Sequence, residues 1–128
     1  MIDKTAISTD GAPQTDNPYS QAIEVDGLLF VSGFAPVDPD TMEMVTGSIP
    51  DQTERVMENI QAVIGKAGGS MADIVKATVY LADMDDYDEM NAKYAEYFGE
   101  TPPARVCIEA ARLPEDANVE IDAIAKLE

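Results

Sequence analysis

The apolar positions of the chain follow two rhythms, one of period two and one near 3.6, and these divide it into strands and helices. Residues 20–25 and 28–33 are short apolar-rich runs separated by Asp26-Gly27. Asp-Gly between two such runs favours a two-residue turn, so this stretch predicts a β-hairpin. Residues 38–47 read as a loop. Asp51-Gln52-Thr53-Glu54 then has the form of a capping box, with Asp51 in the cap position and Glu54 three residues on. Val56, Met57, Ile60, Val63, Ile64 and Ala67 recur at helical spacing, and Gly68-Gly69 ends the helix. Residues 74–81 read as a strand with apolar side chains on both faces. A second helix is expected over about residues 85–98, with Tyr87, Met90, Tyr94, Tyr97 and Phe98 as its buried stripe and Gly99 as its stop. Pro102-Pro103 breaks the chain before strands at 104–110 and 119–125. A weak strand at 4–8 completes the list.

The predicted order is β-β-β-α-β-α-β-β, an α+β pattern that fits one mixed sheet with two helices packed on one face. The chain of 128 residues contains no repeat, low-complexity stretch or linker, so residues 1–128 read as one domain. Leu28-Leu29-Phe30-Val31 and residues 75–81 are apolar on both sides, which points to burial on both faces. Two helices cover only one face of such a sheet. The other face needs a partner, and a homo-oligomer is expected.

Composition narrows the chemistry. The sequence contains no histidine, which excludes Ser-His-Asp and Cys-His nucleophile pairs and zinc sites built on histidine. An all-carboxylate magnesium or calcium site stays open. Cys107 is the one cysteine and cannot form an internal disulfide, which fits a reducing compartment. No apolar run approaches the roughly 18 residues of a membrane span. Met1-Ile2-Asp3-Lys4 is not a basic region leading into an apolar stretch, so no signal peptide is read and a cytoplasmic location is expected. The formal charge of −17 opposes both nucleic acid phosphates and anionic lipid. It is either an ordinary acidic surface or an adaptation to a salty cytoplasm.

Three arginines are present. Arg55 lies in a helix among polar residues, and Arg112 lies in a loop. Arg105 starts a strand in which alternation puts Arg105, Cys107 and Glu109 on one face and Val106 and Ile108 on the other. In the last strand Glu120 and Asp122 share a face. If these two strands pair, Arg105 and Glu120 share a face near one sheet edge. Arg105 would there grip a carboxylate bidentately and Glu120 would position or deprotonate a water. A plain Arg–Glu cross-strand pair fits the same spacing. Cys107 reads as a small buried hydrophobe, since nothing in the sequence would activate it.

Taken in order, several segments resemble the Rid (YjgF) family, in particular its imine-deaminase branch. They are Asn17-Pro18-Tyr19-Ser20-Gln21-Ala22, Val31-Ser32-Gly33, Asp73-Ile74-Val75-Lys76, the set Asn91, Tyr94 and Phe98, and Val119 through Ala125. The most specific stretch is Pro103-Ala104-Arg105-Val106-Cys107-Ile108-Glu109, followed by Ala111-Arg112-Leu113-Pro114. The resemblance implies a chorismate-mutase-like fold assembled as a homotrimer, with sites in the clefts between subunits. It implies hydrolytic deamination of enamine and imine intermediates such as 2-aminoacrylate, 2-iminopropanoate and 2-iminobutanoate, giving 2-keto acids and ammonia without cofactor or metal. Arg105 would bind the substrate carboxylate and Glu120 would orient or activate the attacking water. Ser32, Gly33 and the Cys107 backbone would line the pocket. Tyr19, from the neighbouring subunit, and Asn91 would help close it. Asn17 stands where the family has Gly, Phe34 where Gln is common, and Pro102 at a variable position. A non-catalytic module binding small carboxylates on the same trimer is the alternative.

Overall fold

The Asp26-Gly27 turn closes the first hairpin with φ values of 52° and 79°, both in the left-handed region that a two-residue turn of this hand requires. A computed structural model describes residues 2–128. The hairpin joins β2 (Ala22–Val25) to β3 (Leu28–Phe34), and β1 (Thr5–Ile7) pairs with the outer side of β2. Then come α1 (Ile49–Lys66), β4 (Ile74–Leu81), α2 (Tyr87–Ala95), β5 (Ala104–Glu109) and β6 (Val119–Lys126). The element order is the one the sequence predicts.

The six strands form one mixed sheet in the order β1-β2-β3-β6-β4-β5. β6 runs antiparallel to both β3 and β4, so those two are parallel to each other and α1 is the crossover between them. β4 and β5 are parallel neighbours joined through α2. The last strand thus fills the gap left by the first crossover. β5 and β6 do not pair: β4 lies between them, and the expectation of an Arg105–Glu120 cross-strand neighbourhood fails at this point.

The cap of α1 lies three residues before the predicted one. Ser48 is the cap residue, and its Oγ accepts a hydrogen bond from the Asp51 amide at 3.2 Å. Asp51 therefore sits inside the first turn, where its charge faces the positive end of the helix dipole. Pro50 is tolerated in the first turn because that amide has no intrahelical partner to lose. The helix ends as the glycines predict. The Gly68 amide bonds the Gly65 carbonyl, and the Gly69 amide the Ile64 carbonyl, with Gly68 at φ 92°. α2 is shorter than expected. A single 3-10 turn, Met84–Asp86, precedes it, and Tyr87 is exposed where the sequence predicts a buried stripe.

The core lies between α1 and one face of the sheet. Val56, Met57, Ile60, Val63 and Ile64 of α1 pack over Leu29 and Val31 of β3, Val79 and Leu81 of β4, and Val119, Ile121, Ala123 and Ala125 of β6. The opposite face carries Phe30, Ile124, Tyr80, Val106 and Ile108 by register. Phe30, Val106 and Ile108 are 42%, 46% and 43% exposed, an apolar surface that none of the described residues covers. No helix among the described residues is long and apolar enough to cross a membrane.

Candidate functional site

The candidate residues fall into two groups on opposite faces of the sheet. The first surrounds a defect in β3. Between Val31 and Phe34, three steps along β3 match two along β6, a bulge at Ser32-Gly33. The Ser32 amide donates to the Gln21 carbonyl and its hydroxyl to the Ser20 carbonyl at 2.6 Å. Glu120 of β6 lies across the bulge. A side chain on Gly33 would place its Cβ 2.6 Å from the Glu120 Oε2, so a larger residue would have to push that carboxylate aside. Tyr19, Ser32, Gly33, Phe34 and Glu120 line one cleft of about 490 Å³. Phe34 is buried and gives the cleft an apolar wall.

Glu120 is half-buried, and its carboxyl is held above the usual carboxylate range, first by burial and then by the nearby Asp122. It has no cationic partner: the salt bridges among the described residues are Lys93–Glu54, Lys93–Glu96 and Arg112–Asp116. Asp122 instead accepts a hydrogen bond from the Tyr80 hydroxyl at 3.2 Å.

Two buried amides hold the rim of this cleft. Gln21 donates from Nε2 to the Thr9, Ala12 and Pro13 carbonyls, and its Oε1 accepts from the Thr9 amide. Asn59 of α1 donates to the Ala35 and Val37 carbonyls and accepts from Arg55. Neither stands out in the sequence as a site residue. Gln21 belongs to the segment that carries the family resemblance, and Asn59 interrupts the apolar face of α1, the one signal that could have marked it. On the far rim Glu115 and Asp116 both have positive φ, 58° and 56°, beside Pro114.

The second group lies on the helix-covered face, at the edge strand. Arg105 is opposite Ala77, and Cys107 opposite Val79. Arg105, Asn91, Tyr94, Phe98 and Pro103 line a groove of about 350 Å³ between α2 and β5. The Arg105 guanidinium lies 4.9 Å from the Tyr94 ring centre and 5.5 Å from that of Tyr87, and it donates to the Tyr87 hydroxyl at 3.1 Å. It makes no salt bridge among the described residues. Burial raises the Cys107 thiol, with a smaller opposing pull from Arg105, so thiolate is scarce there. No group of three or more Cys, Asp or Glu among the described residues is placed to hold a metal ion.

Tyr19, Ser32, Gly33 and Glu120 thus share one cleft, while Arg105 and Asn91 share a groove across the sheet, with Cys107 beside Arg105 on the strand. Within one chain Tyr19 and Glu120 line the same cleft.

A family model described as Endoribonuclease L-PSP matches residues 9–127. A RutC family protein of Pyrococcus horikoshii is 53% identical over 122 residues, which cover 95% of this chain and 97% of the relative. The structure of a protein of the conserved Rid family from Yersinia pestis superposes with a TM-score of 0.94 at 41% identity, covering 98% of this chain and all of the other. That of E. coli TdcF with bound serine superposes with a TM-score of 0.92 at 38% identity, covering 97% and 99%. The chain belongs to the Rid (YjgF) family, whose fold it shares in full.

Proposed function

We propose that this protein hydrolyses reactive enamine and imine intermediates of amino acids to 2-keto acids and ammonia. The observation that carries the reading is Glu120, a half-buried carboxyl with a raised pKa and no cationic partner, set over a glycine at the floor of an open cleft. Such a group is suited to take a proton from water and return it. An enamine such as 2-aminoacrylate tautomerises to its imine. Water then adds to the C=N carbon as Glu120 accepts its proton. That proton passes to nitrogen and gives a carbinolamine; Glu120 then relays the hydroxyl proton to nitrogen as the C–N bond breaks, and ammonia leaves a 2-keto acid behind. Arg105 supplies the matching half, a guanidinium without an internal carboxylate, able to take the substrate's own carboxylate.

Each half is incomplete alone: the cleft holds an acid–base group without a cation, and the groove a cation without an acid–base group. In the proposed homotrimer the Glu120 cleft of one subunit faces the Arg105 groove of the next, and the apolar face bearing Phe30, Val106 and Ile108 is covered in the same assembly. Tyr19 and Asn91 close the composite site, and Ser32, Gly33 and the Cys107 backbone line it. A lone cysteine without an internal disulfide partner fits a reducing compartment such as the cytoplasm.

The test is ammonia release from freshly generated 2-iminopropanoate and 2-iminobutanoate, with light scattering on the same sample. Release faster than in buffer, from a trimer, is expected. A stable monomer, or release at the buffer rate, sinks the reading. Serine bound to TdcF favours a second possibility, a module that binds small carboxylates without turning them over. It predicts keto-acid binding with no acceleration. The family description also names an endoribonuclease, and a low-salt gel shift checks that reading; the charge of −17 opposes RNA binding.

A further inference from the structure

Arg105 stands out for how it is held. In a chain with 25 acidic residues, the guanidinium touches no carboxylate among the described residues and lies instead against two phenol rings of α2. The two rings do different things. Tyr94 is buried, its hydroxyl has no hydrogen-bond partner among the described residues, and the guanidinium sits 4.9 Å from its ring centre. Its contribution to Arg105 is therefore the ring face. Tyr87 is exposed and offers both a ring face at 5.5 Å and a hydroxyl that accepts from the Arg105 Nη2 at 3.1 Å. Stacking fixes the plane of a guanidinium, and a single hydrogen bond to one nitrogen fixes its rotation within that plane. The remaining N–H groups keep a defined direction and no internal acceptor. Tyrosine preserves the positive charge that a carboxylate neighbour would have neutralised.

We propose that Tyr87 and Tyr94 are positioning residues that clamp Arg105 and aim its open edge at an incoming carboxylate, with the Tyr87 hydroxyl setting the orientation. The proposal rests on the reading of Arg105 as the carboxylate-binding group, and it adds two residues to which no role has been assigned in that binding. Positions 87 and 94 are seven apart, two helical turns, so both reach the same edge strand from one face of α2. A side chain held in advance loses less freedom when ligand binds, so the clamp acts on affinity more than on the chemical step.

The test separates the clamp from the function. The guanidinium signals of isotopically labelled protein report rotation about the Arg105 Nε–Cζ bond with no ligand present, and Arg105→Lys assigns them. Tyr87→Phe, which removes only the hydroxyl, is expected to speed that rotation about fivefold, roughly the worth of one net hydrogen bond. Tyr94→Phe removes a hydroxyl without a partner and is expected to leave it unchanged, whereas Tyr94→Leu removes the ring and speeds it. In calorimetry with 2-oxobutanoate, Tyr87→Phe is expected to weaken binding by a similar factor. It should raise KM accordingly while kcat stays within about twofold. Identical rotation in the parent protein and Tyr87→Phe overturns the clamp. Faster rotation with unchanged keto-acid binding overturns its role in positioning. A parent protein that binds no keto acid overturns the functional reading instead, and the rotation measurement still decides whether the clamp exists.

Discussion

In the proposed reaction Glu120 carries the acid–base chemistry, and its surroundings would set the pH range over which it works. Burial and Asp122 both favour its protonated form, so its pKa lies above that of an ordinary carboxyl. A base works only when deprotonated. Turnover is therefore expected to fall as pH drops through this raised value, earlier than an exposed glutamate would allow. Glu120→Gln should lower kcat by about 10²–10⁴-fold, remove that acidic limb and leave keto-acid binding largely intact. A pH profile of kcat/KM for both forms checks this. A variant with the same limb would assign the titration to another group. Charged residues that interrupt otherwise apolar strands single out Glu120 and Arg105 in the sequence, while the roles proposed for them come from the family resemblance. Their separation was not legible there. Alternation correctly grouped Arg105 with Cys107 and Glu120 with Asp122, but which groups share a face depends on the strand order.

The elements divide between those defined by local chemistry and those defined by distant partners. The Asp26-Gly27 hairpin, the glycine stop of α1 and the bounds of β4 follow from short stretches, and the structure has them where the sequence puts them. The start of α1 differs from the sequence expectation although its signals are local. Two overlapping patterns compete there, Ser48 through Asp51 and Asp51 through Glu54, and the presence of Pro50 in the first turn decides for the earlier one. Ser48→Ala should destabilise the protein by about 1 kcal/mol, the usual value of a cap, while Asp51→Asn should act less, through the dipole alone. Denaturant titration of the two variants checks the order, and equal or reversed effects would restore Asp51 as the cap. The position of β6 between β3 and β4 could not be read locally, because each of its pairings joins residues far apart in sequence.

At the scale of the whole molecule the dominant fact is charge. Against 25 acidic and 8 basic residues, the described residues hold three salt bridges, so most carboxylates face solvent and one another. Exposed charges repel over about 10 Å at 0.1 M salt and only about 3 Å at 1 M. If the acidity is an adaptation to a salty interior, assembly of three such chains in the proposed trimer would multiply the repulsion. Both melting temperature and trimer population should then rise with KCl. Melting curves and light scattering over the same salt series measure this. A flat response would make the acidity an ordinary surface property.

The rim of the Glu120 cleft carries a tension of another kind. Glu115 and Asp116 follow one another in the left-handed region, where a side chain costs roughly 1–2 kcal/mol per residue, and asparagine or glycine would adopt the same backbone more readily. Selection for heat resistance alone would therefore be drawn to this turn, since relief there requires no change in the core. The conformation persists at the opening of the Glu120 cleft, the proposed entry for substrate. Directed evolution thus has a natural fork at this place: a lineage chosen only for heat resistance would relax the turn, and one chosen for turnover would keep it. Where the two lineages part would show how much stability the shape of the opening has cost the molecule.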